Sequence, residues 1–162
     1  MAFRRAVLFK GNKKIILESL ETNCDHDYME YFHKVPNSSQ HIHTFRVTKL
    51  VSAFSIDLIE KVTKTQRLYY KTKINGGCDF INNPMLYKLF GESFQRMAVN
   101  SSLLRCPINP GVYYMRIDSP SSITPSIHSP GRFQFLVRTK ATNSSQPFFL
   151  EMLWKYKIVY IK

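Results

Sequence analysis

Features that enzymes and membrane-spanning proteins need are scarce or missing in this sequence. Its 162 residues include only 11 acidic side chains, and no local pattern places a nucleophile beside a base or pairs two carboxylates. No apolar run approaches the roughly 18 residues of a membrane span. The sequence therefore predicts neither an enzyme nor a transmembrane segment, and it gives no sign of a cofactor.

Cysteine is almost as scarce, and the three in the chain are Cys24, Cys78 and Cys106. The last two bracket a stretch that is predicted to be a helix, because apolar residues recur at helical spacing after an Asn-Pro start. These residues are Leu86, Phe90, Phe94 and Met97. A bond between Cys78 and Cys106 would span 27 intervening residues and stabilise the domain by about 3.6 kcal/mol. Two buried free thiols in a cytosolic protein are the alternative, and the compartment decides between them.

Three Asn-x-Ser sequences bear on the compartment. They lie at Asn37, Asn100 and Asn143, where turns or element ends are expected, and each is a potential glycosylation site. They favour an extracellular, secreted protein. No export signal is recognisable, because the basic and briefly apolar start is soon interrupted by lysines. We therefore set residues 1–12 apart as a disordered segment or an incomplete export signal, and predict one domain over residues 13–162.

Positive charge dominates the chain. Lysine and arginine number 23 against 11 acidic residues, which gives a formal net charge of +12. Acidic protein surfaces, anionic lipid head groups and nucleic acid are physically plausible partners for such a chain. The basic residues are scattered singly between apolar ones, which is typical of solvated faces. We therefore expect no specific nucleic-acid partner.

One grouping of residue types resembles a set of metal ligands. It comprises Cys24, His26 and His33, with His41 and His43 nearby. Its spacing matches no zinc-finger or zinc-knuckle pattern, and a structural zinc site needs four ligands on defined turns. A solvated polar loop explains the grouping better, and no metal site is predicted.

Most of the chain alternates apolar and polar residues with the period of a half-buried β-strand. Residues 41–51, 53–62, 112–117, 132–141 and 148–160 alternate in this way, and residues 13–21 and 66–74 are also predicted to form strands. Residues 25–40 are polar and are predicted to form a loop, and Cys78–Phe80 are expected at the end of a strand. Seven strands and one helix between Cys78 and Cys106 predict a mainly β fold, a mostly antiparallel sandwich.

The order of several short motifs resembles a known family. The motifs are Cys78-Asp79-Phe80, a helix with Leu86, Tyr87, Leu89 and Phe90, then Cys106-Pro107, Gly111-x-Tyr-Tyr and Pro130-Gly131-x-Phe. Over residues 15–162 this order resembles a large insect family called domain of unknown function 1091. That family is grouped with the MD-2-related lipid-recognition (ML) proteins and is similar to CheB-type chemosensory proteins.

This resemblance implies a fold and a set of cysteine roles. It implies a secreted, immunoglobulin-like β-sandwich of the ML type, with a disulfide between Cys78 and Cys106. Cys24 matches the first cysteine of the family, but Phe32 and His33 stand where the family usually has another. Cys24 is therefore a free thiol, a cysteine that pairs between chains, or the remnant of a lost bridge.

The resemblance also implies that the two sheets part to hold a lipid or another hydrophobic molecule, which includes pheromone-like ligands. Such binding needs an apolar cavity and no catalytic group. The candidate cavity residues are Phe54, Ile56, Tyr69, Phe80, Phe90, Phe94, Phe133, Phe135, Met152 and Trp154. The same pattern fits residues of a solid core. The alternative function is therefore a secreted interaction module with a packed core, which docks a membrane receptor or another protein.

Overall fold

The computed structural model describes residues 7–10, 12–37, 42–82, 105–116 and 129–161. These ranges contain nine β-strands and one short α-helix. The strands are β1 (Val7–Lys10), β2 (Lys13–Cys24), β3 (Met29–Lys34), β4 (Ile42–Val47), β5 (Phe54–Val62), β6 (Leu68–Ile74), β7 (Gly111–Arg116), β8 (Gly131–Ala141) and β9 (Leu150–Tyr160), and the helix α1 is Gly77–Asn82. The predicted mainly β fold is confirmed.

The strands form two antiparallel sheets. The large sheet has six strands in the order β1-β2-β9-β8-β5-β6, and the small sheet has three in the order β3-β4-β7. The buried faces of both sheets contribute to one hydrophobic core, to which the small sheet adds Phe45 and Met115 and the large sheet adds Phe135 and Trp154. The predicted sandwich-like packing of antiparallel sheets is therefore confirmed.

The two central strands of the large sheet show why this sequence folds as it does. Every second residue of β9 from Leu150 to Ile158 is buried, and β8 buries alternate residues in the same way. Their register pairs Phe135 with Trp154 and Phe133 with Tyr156, so four large aromatic side chains share one face. Burying each such side chain stabilises the fold by about 1.5–3 kcal/mol.

Two strands lie where the sequence did not predict them. Strand β3 lies inside the predicted loop over residues 25–40, so that prediction is wrong. Its buried residues Met29 and Phe32 are three apart, because a β-bulge between Met29 and Tyr31 interrupts the period of two. Strand β1 comes from the segment 1–12, and pairs with β2 as a hairpin.

The residues around Cys78 are helical. Cys78–Phe80 were expected at the end of a strand, but β6 ends at Ile74 and α1 begins at Gly77. Gly77 packs so closely against the start of β5 that an added Cβ would lie 2.7 Å from the carbonyl oxygen of Phe54. This position therefore admits only glycine without a shift of the backbone. The helix predicted from Leu86 onward lies outside the described residues.

A disulfide joins α1 to the segment before β7. Cys78 and Cys106 are bonded, with their Cα atoms 5.4 Å apart, as the resemblance implied. Two residues further on, Ile108 pairs with Val51, and their backbone N–H groups donate to each other's carbonyl oxygens at 2.9 and 3.0 Å. The disulfide and this bridge together hold the segment against the chain that leads into β5.

Cys24 is a half-buried free thiol at the end of β2. Burial raises the pKa of this thiol, and the negative charge of the neighbouring Asp25 raises it further. A raised pKa lowers the thiolate fraction at neutral pH, so we expect this cysteine to react slowly in the folded protein.

The disulfide gives the first prediction. Mass mapping of non-reduced protein should recover Cys78 and Cys106 in one linked peptide pair. The double variant Cys78→Ala/Cys106→Ala should lose about 3–4 kcal/mol of unfolding free energy in urea denaturation, because its unfolded chain is less constrained. Cys24→Ala is the matched control and should change it by no more than about 1 kcal/mol. Free thiols at both positions would contradict the bond.

The contact at Gly77 gives the second prediction. Gly77→Ala should lower the unfolding free energy by about 1–3 kcal/mol, because the new methyl group meets Phe54 and overpacks the junction of α1 and β5. Gly76→Ala is the control, since its Cβ would approach the flexible side chain of Asp79, with the Oδ2 atom 3.1 Å away. Equal losses in the two variants would show that the close approach to Phe54 is unimportant.

Candidate functional site

The inner face of the large sheet, meaning the face that packs on the small sheet, holds most of the described candidate residues. Five of them are buried on this face, and they are Phe54, Phe133, Phe135, Met152 and Trp154. Ile56 is half-buried and pairs with Thr139 of β8. The three central strands β5, β8 and β9 therefore bring six of the ten candidates together.

The remaining candidates lie elsewhere or outside the described residues. Tyr69 is 36% exposed on the edge strand β6, where its ring meets that of Phe133 at a centroid distance of 5.1 Å. Its hydroxyl lies 3.3 Å from Oγ of Ser129. Phe80 lies in α1, partly buried against the core. Phe90 and Phe94 are outside the described residues.

A buried carboxylate lies among these aromatic side chains. Glu60 of β5 is 0% exposed, and the hydroxyl of Tyr156, also fully buried, donates a hydrogen bond to its Oε2 atom. Tyr156 lies on β9 and pairs with Phe133 of β8, so its side chain reaches across β8 to meet Glu60. Burial of a charged or polar group requires such a partner. Neither Glu60 nor Tyr156 is among the candidate residues predicted from the sequence.

The alternation of β5 contains the signal that could have found Glu60. It falls in the same period of two as Phe54 and Leu58, which are buried. The predicted cavity residues were all apolar or aromatic, so an acidic residue at this spacing was not among them. Tyr156 likewise falls in the inward-facing series of β9.

Trp154 has an unsatisfied hydrogen-bond donor. The residue is 0% exposed, and its indole Nε1 has no hydrogen-bond partner among the described residues. The indole N–H can only donate, and leaving a buried donor without an acceptor costs about 1–3 kcal/mol. Pairing across the sheet puts Trp154 beside Phe135, and Phe135 beside Glu60. The inner face is therefore apolar except for two polar groups. These are the carboxyl group of Glu60, which accepts a hydrogen bond, and the indole N–H of Trp154, which has no acceptor among the described residues.

The outer face of the large sheet is basic. Register places Arg132 beside Lys157, and Lys155 in the next row beside Gln134, which in turn pairs with Lys61. Arg132 forms an ion pair with Glu18 at 3.3 Å. No ion pair is formed by Lys61, Lys155 or Lys157 within the described ranges. This leaves three neighbouring cations available to an acidic partner.

Two of the predicted glycan acceptors lie on exposed turns. Asn37 follows β3, with a positive φ of 60°, and Asn143 lies in the turn between β8 and β9. Both positions offer the accessibility that a glycan needs, while Asn100 is outside the described residues. Their modification remains a prediction.

In the described parts of the chain, no three His, Cys, Asp or Glu side chains come together as metal ligands. None of the helices in those ranges is long and apolar enough to cross a membrane.

Comparison with known proteins returned one family. A family model described as a protein of unknown function (DUF1091) matches residues 54–135, just over half of the chain. The matched stretch begins with β5, contains both cysteines of the disulfide and ends in β8. A search among curated proteins found no match.

The buried pair gives the third prediction. Tyr156→Phe should lower the unfolding free energy by about 1–3 kcal/mol, because the carboxylate of Glu60 loses a donor inside the core. Tyr160→Phe, at an exposed position of the same strand, is the control and should change it by less than about 0.5 kcal/mol. Urea denaturation of both variants makes the comparison, and equal effects would contradict a stabilising role for the bond.

Proposed function

Because the chain belongs to the DUF1091 family of proteins of unknown function, we propose its function from the geometry of its core. It is a secreted, non-enzymatic binding protein that holds a lipid or another hydrophobic molecule, such as a pheromone-like compound, between its two sheets. The observation that carries this proposal is the inner face around Trp154, where large aromatic side chains surround a buried donor that has no acceptor among the described residues.

Physical chemistry supports this use of the core. Transfer of an alkyl chain from water to an apolar site is favourable by about 0.8 kcal/mol for each buried CH₂ group, so affinity needs no catalytic or charged residue. A few polar groups in such a site serve to orient the ligand. The large sheet offers both kinds of surface, with Phe133 and Phe135 as apolar contacts and Trp154 as a polar one.

Secretion is part of the same proposal. Disulfides persist mainly in oxidising compartments, and the chain forms one between Cys78 and Cys106. The exposed turns at Asn37 and Asn143 would suit glycans. We also propose the finer relation of the family to the ML and CheB-type proteins, because two antiparallel sheets around one apolar core are compatible with that type of fold.

A second candidate function rests on the outer face of the large sheet. Lys61, Lys155 and Lys157 form neighbouring positive charges without ion-pair partners in the described ranges. Such a surface suits an acidic patch on another protein, and steers its approach by long-range attraction. In this alternative the core is solidly packed and the protein docks a membrane receptor.

The carrier proposal gives the fourth prediction. Protein secreted from insect cells with an added export signal should carry a hydrophobic molecule, seen as an added mass in native mass spectrometry and identified after lipid extraction. After this molecule has been extracted, the protein should bind the fluorescent dye diphenylhexatriene saturably. Energy transfer from Trp154 reports this binding without ambiguity, because it is the only tryptophan.

A pair of variants separates the core from the surface. Val137→Phe adds bulk on the inner face beside Leu58 and Met152, and should weaken diphenylhexatriene binding at least about tenfold by filling the site. Val112→Phe makes the same change at an exposed position of β7, and should leave binding unchanged. Protein that is reproducibly empty and shows no saturable transfer would contradict the carrier function and favour receptor docking.

A further inference from the structure

The open donor of Trp154 lies in the middle of an apolar surface. Trp154 is central in β9, and on its own strand Met152 and Tyr156 share its face. Across the sheet it pairs with Leu20 of β2 on one side and with Phe135 of β8 on the other. Neither Leu20 nor Phe135 has a side-chain acceptor, and the indole N–H has no hydrogen-bond partner within the described ranges.

The other polar group of the inner face is already engaged. Glu60 lies two strands away in the same row, which corresponds to a Cα separation of about 10 Å. It accepts the hydrogen bond of Tyr156 and is fully buried. The two groups therefore differ in what they offer. Glu60 is a satisfied acceptor, while Trp154 is a donor that still needs a partner.

We propose that the indole N–H of Trp154 donates a hydrogen bond to a neutral oxygen atom of the bound molecule. The ligand class is then a long-chain ester, ketone, aldehyde or alcohol, in preference to a pure hydrocarbon. This inference rests on the proposed carrier function and adds to it the polar group that the ligand must contain.

A free fatty acid fits this face less well than its ester. Its carboxyl group would enter the same apolar core as the carboxyl group of Glu60. Transfer of the ligand's ionised carboxylate from water into such an apolar core is costly. The site should therefore select an uncharged oxygen acceptor over both an alkane and a carboxylate of similar length.

The test compares hexadecane, methyl tetradecanoate and tetradecanoic acid as competitors of diphenylhexatriene, with direct excitation of the dye. Wild-type protein should bind the ester about tenfold more tightly than the alkane, because only the ester supplies an acceptor for the buried N–H. This ratio corresponds to the cost of leaving a buried donor unsatisfied. Trp154→Phe removes the N–H and should bring this preference close to unity. A second variant with a benzothiophene side chain at position 154 keeps the fused rings, and controls for the volume that phenylalanine loses.

A spectroscopic readout addresses the hydrogen bond itself. The single tryptophan gives one indole N–H signal in a nitrogen–proton correlation spectrum. The ester should shift this proton downfield, and hexadecane should not. Equal affinity for ester and alkane, or an indole signal that the ester leaves unshifted, would overturn the inference while the carrier function stands. Failure of all three competitors and of the dye to bind would instead overturn the carrier function.

Discussion

The register between β8 and β9 is the constraint on which the rest of the molecule depends. Side chains alternate along a strand, so a slip of one residue would exchange Trp154 for Lys155 on the buried face. The correct register places the aromatic rings of both strands inward and their basic residues outward. β5 and β2 then pair with the outer sides of this central pair, so the inner and outer faces of the whole large sheet follow from it.

Much of this architecture could be predicted from the sequence because most of its strands are regular. Each of the seven predicted strand segments overlaps one strand of the structure, and these strands are β2, β4, β5, β6, β7, β8 and β9. Strand β3 was not predicted, because its bulge places the buried residues Met29 and Phe32 three positions apart. That spacing differs from the period of two that identifies a strand. The helical turn around Cys78 was not predicted either. Its position depends on the close packing of Gly77 against Phe54, which no local sequence pattern shows.

The candidate site was predicted in its apolar part and missed in its polar part. Phe133, Phe135 and Trp154 are large, apolar and regularly spaced, so pattern alone placed them on one face. Glu60 has the same spacing, but its acidic side chain kept it out of an apolar list, and the hydrogen bond from Tyr156 of β9 helps to make its burial favourable. The missing acceptor of Trp154 is a property of three-dimensional surroundings, which no one-dimensional pattern contains.

The pairing of β2 with β9 has a consequence for how the chain folds. These strands come from opposite parts of the sequence, yet they pair along their whole length, from Lys13 with Tyr160 to Cys24 with Leu150. Contacts between such distant segments close slowly, because the entropy of the intervening chain is lost before they form. During synthesis, the apolar side of β2 must therefore stay uncovered until β9 has emerged from the ribosome. Until then this surface is exposed in the nascent chain, which is the condition under which partly folded chains aggregate.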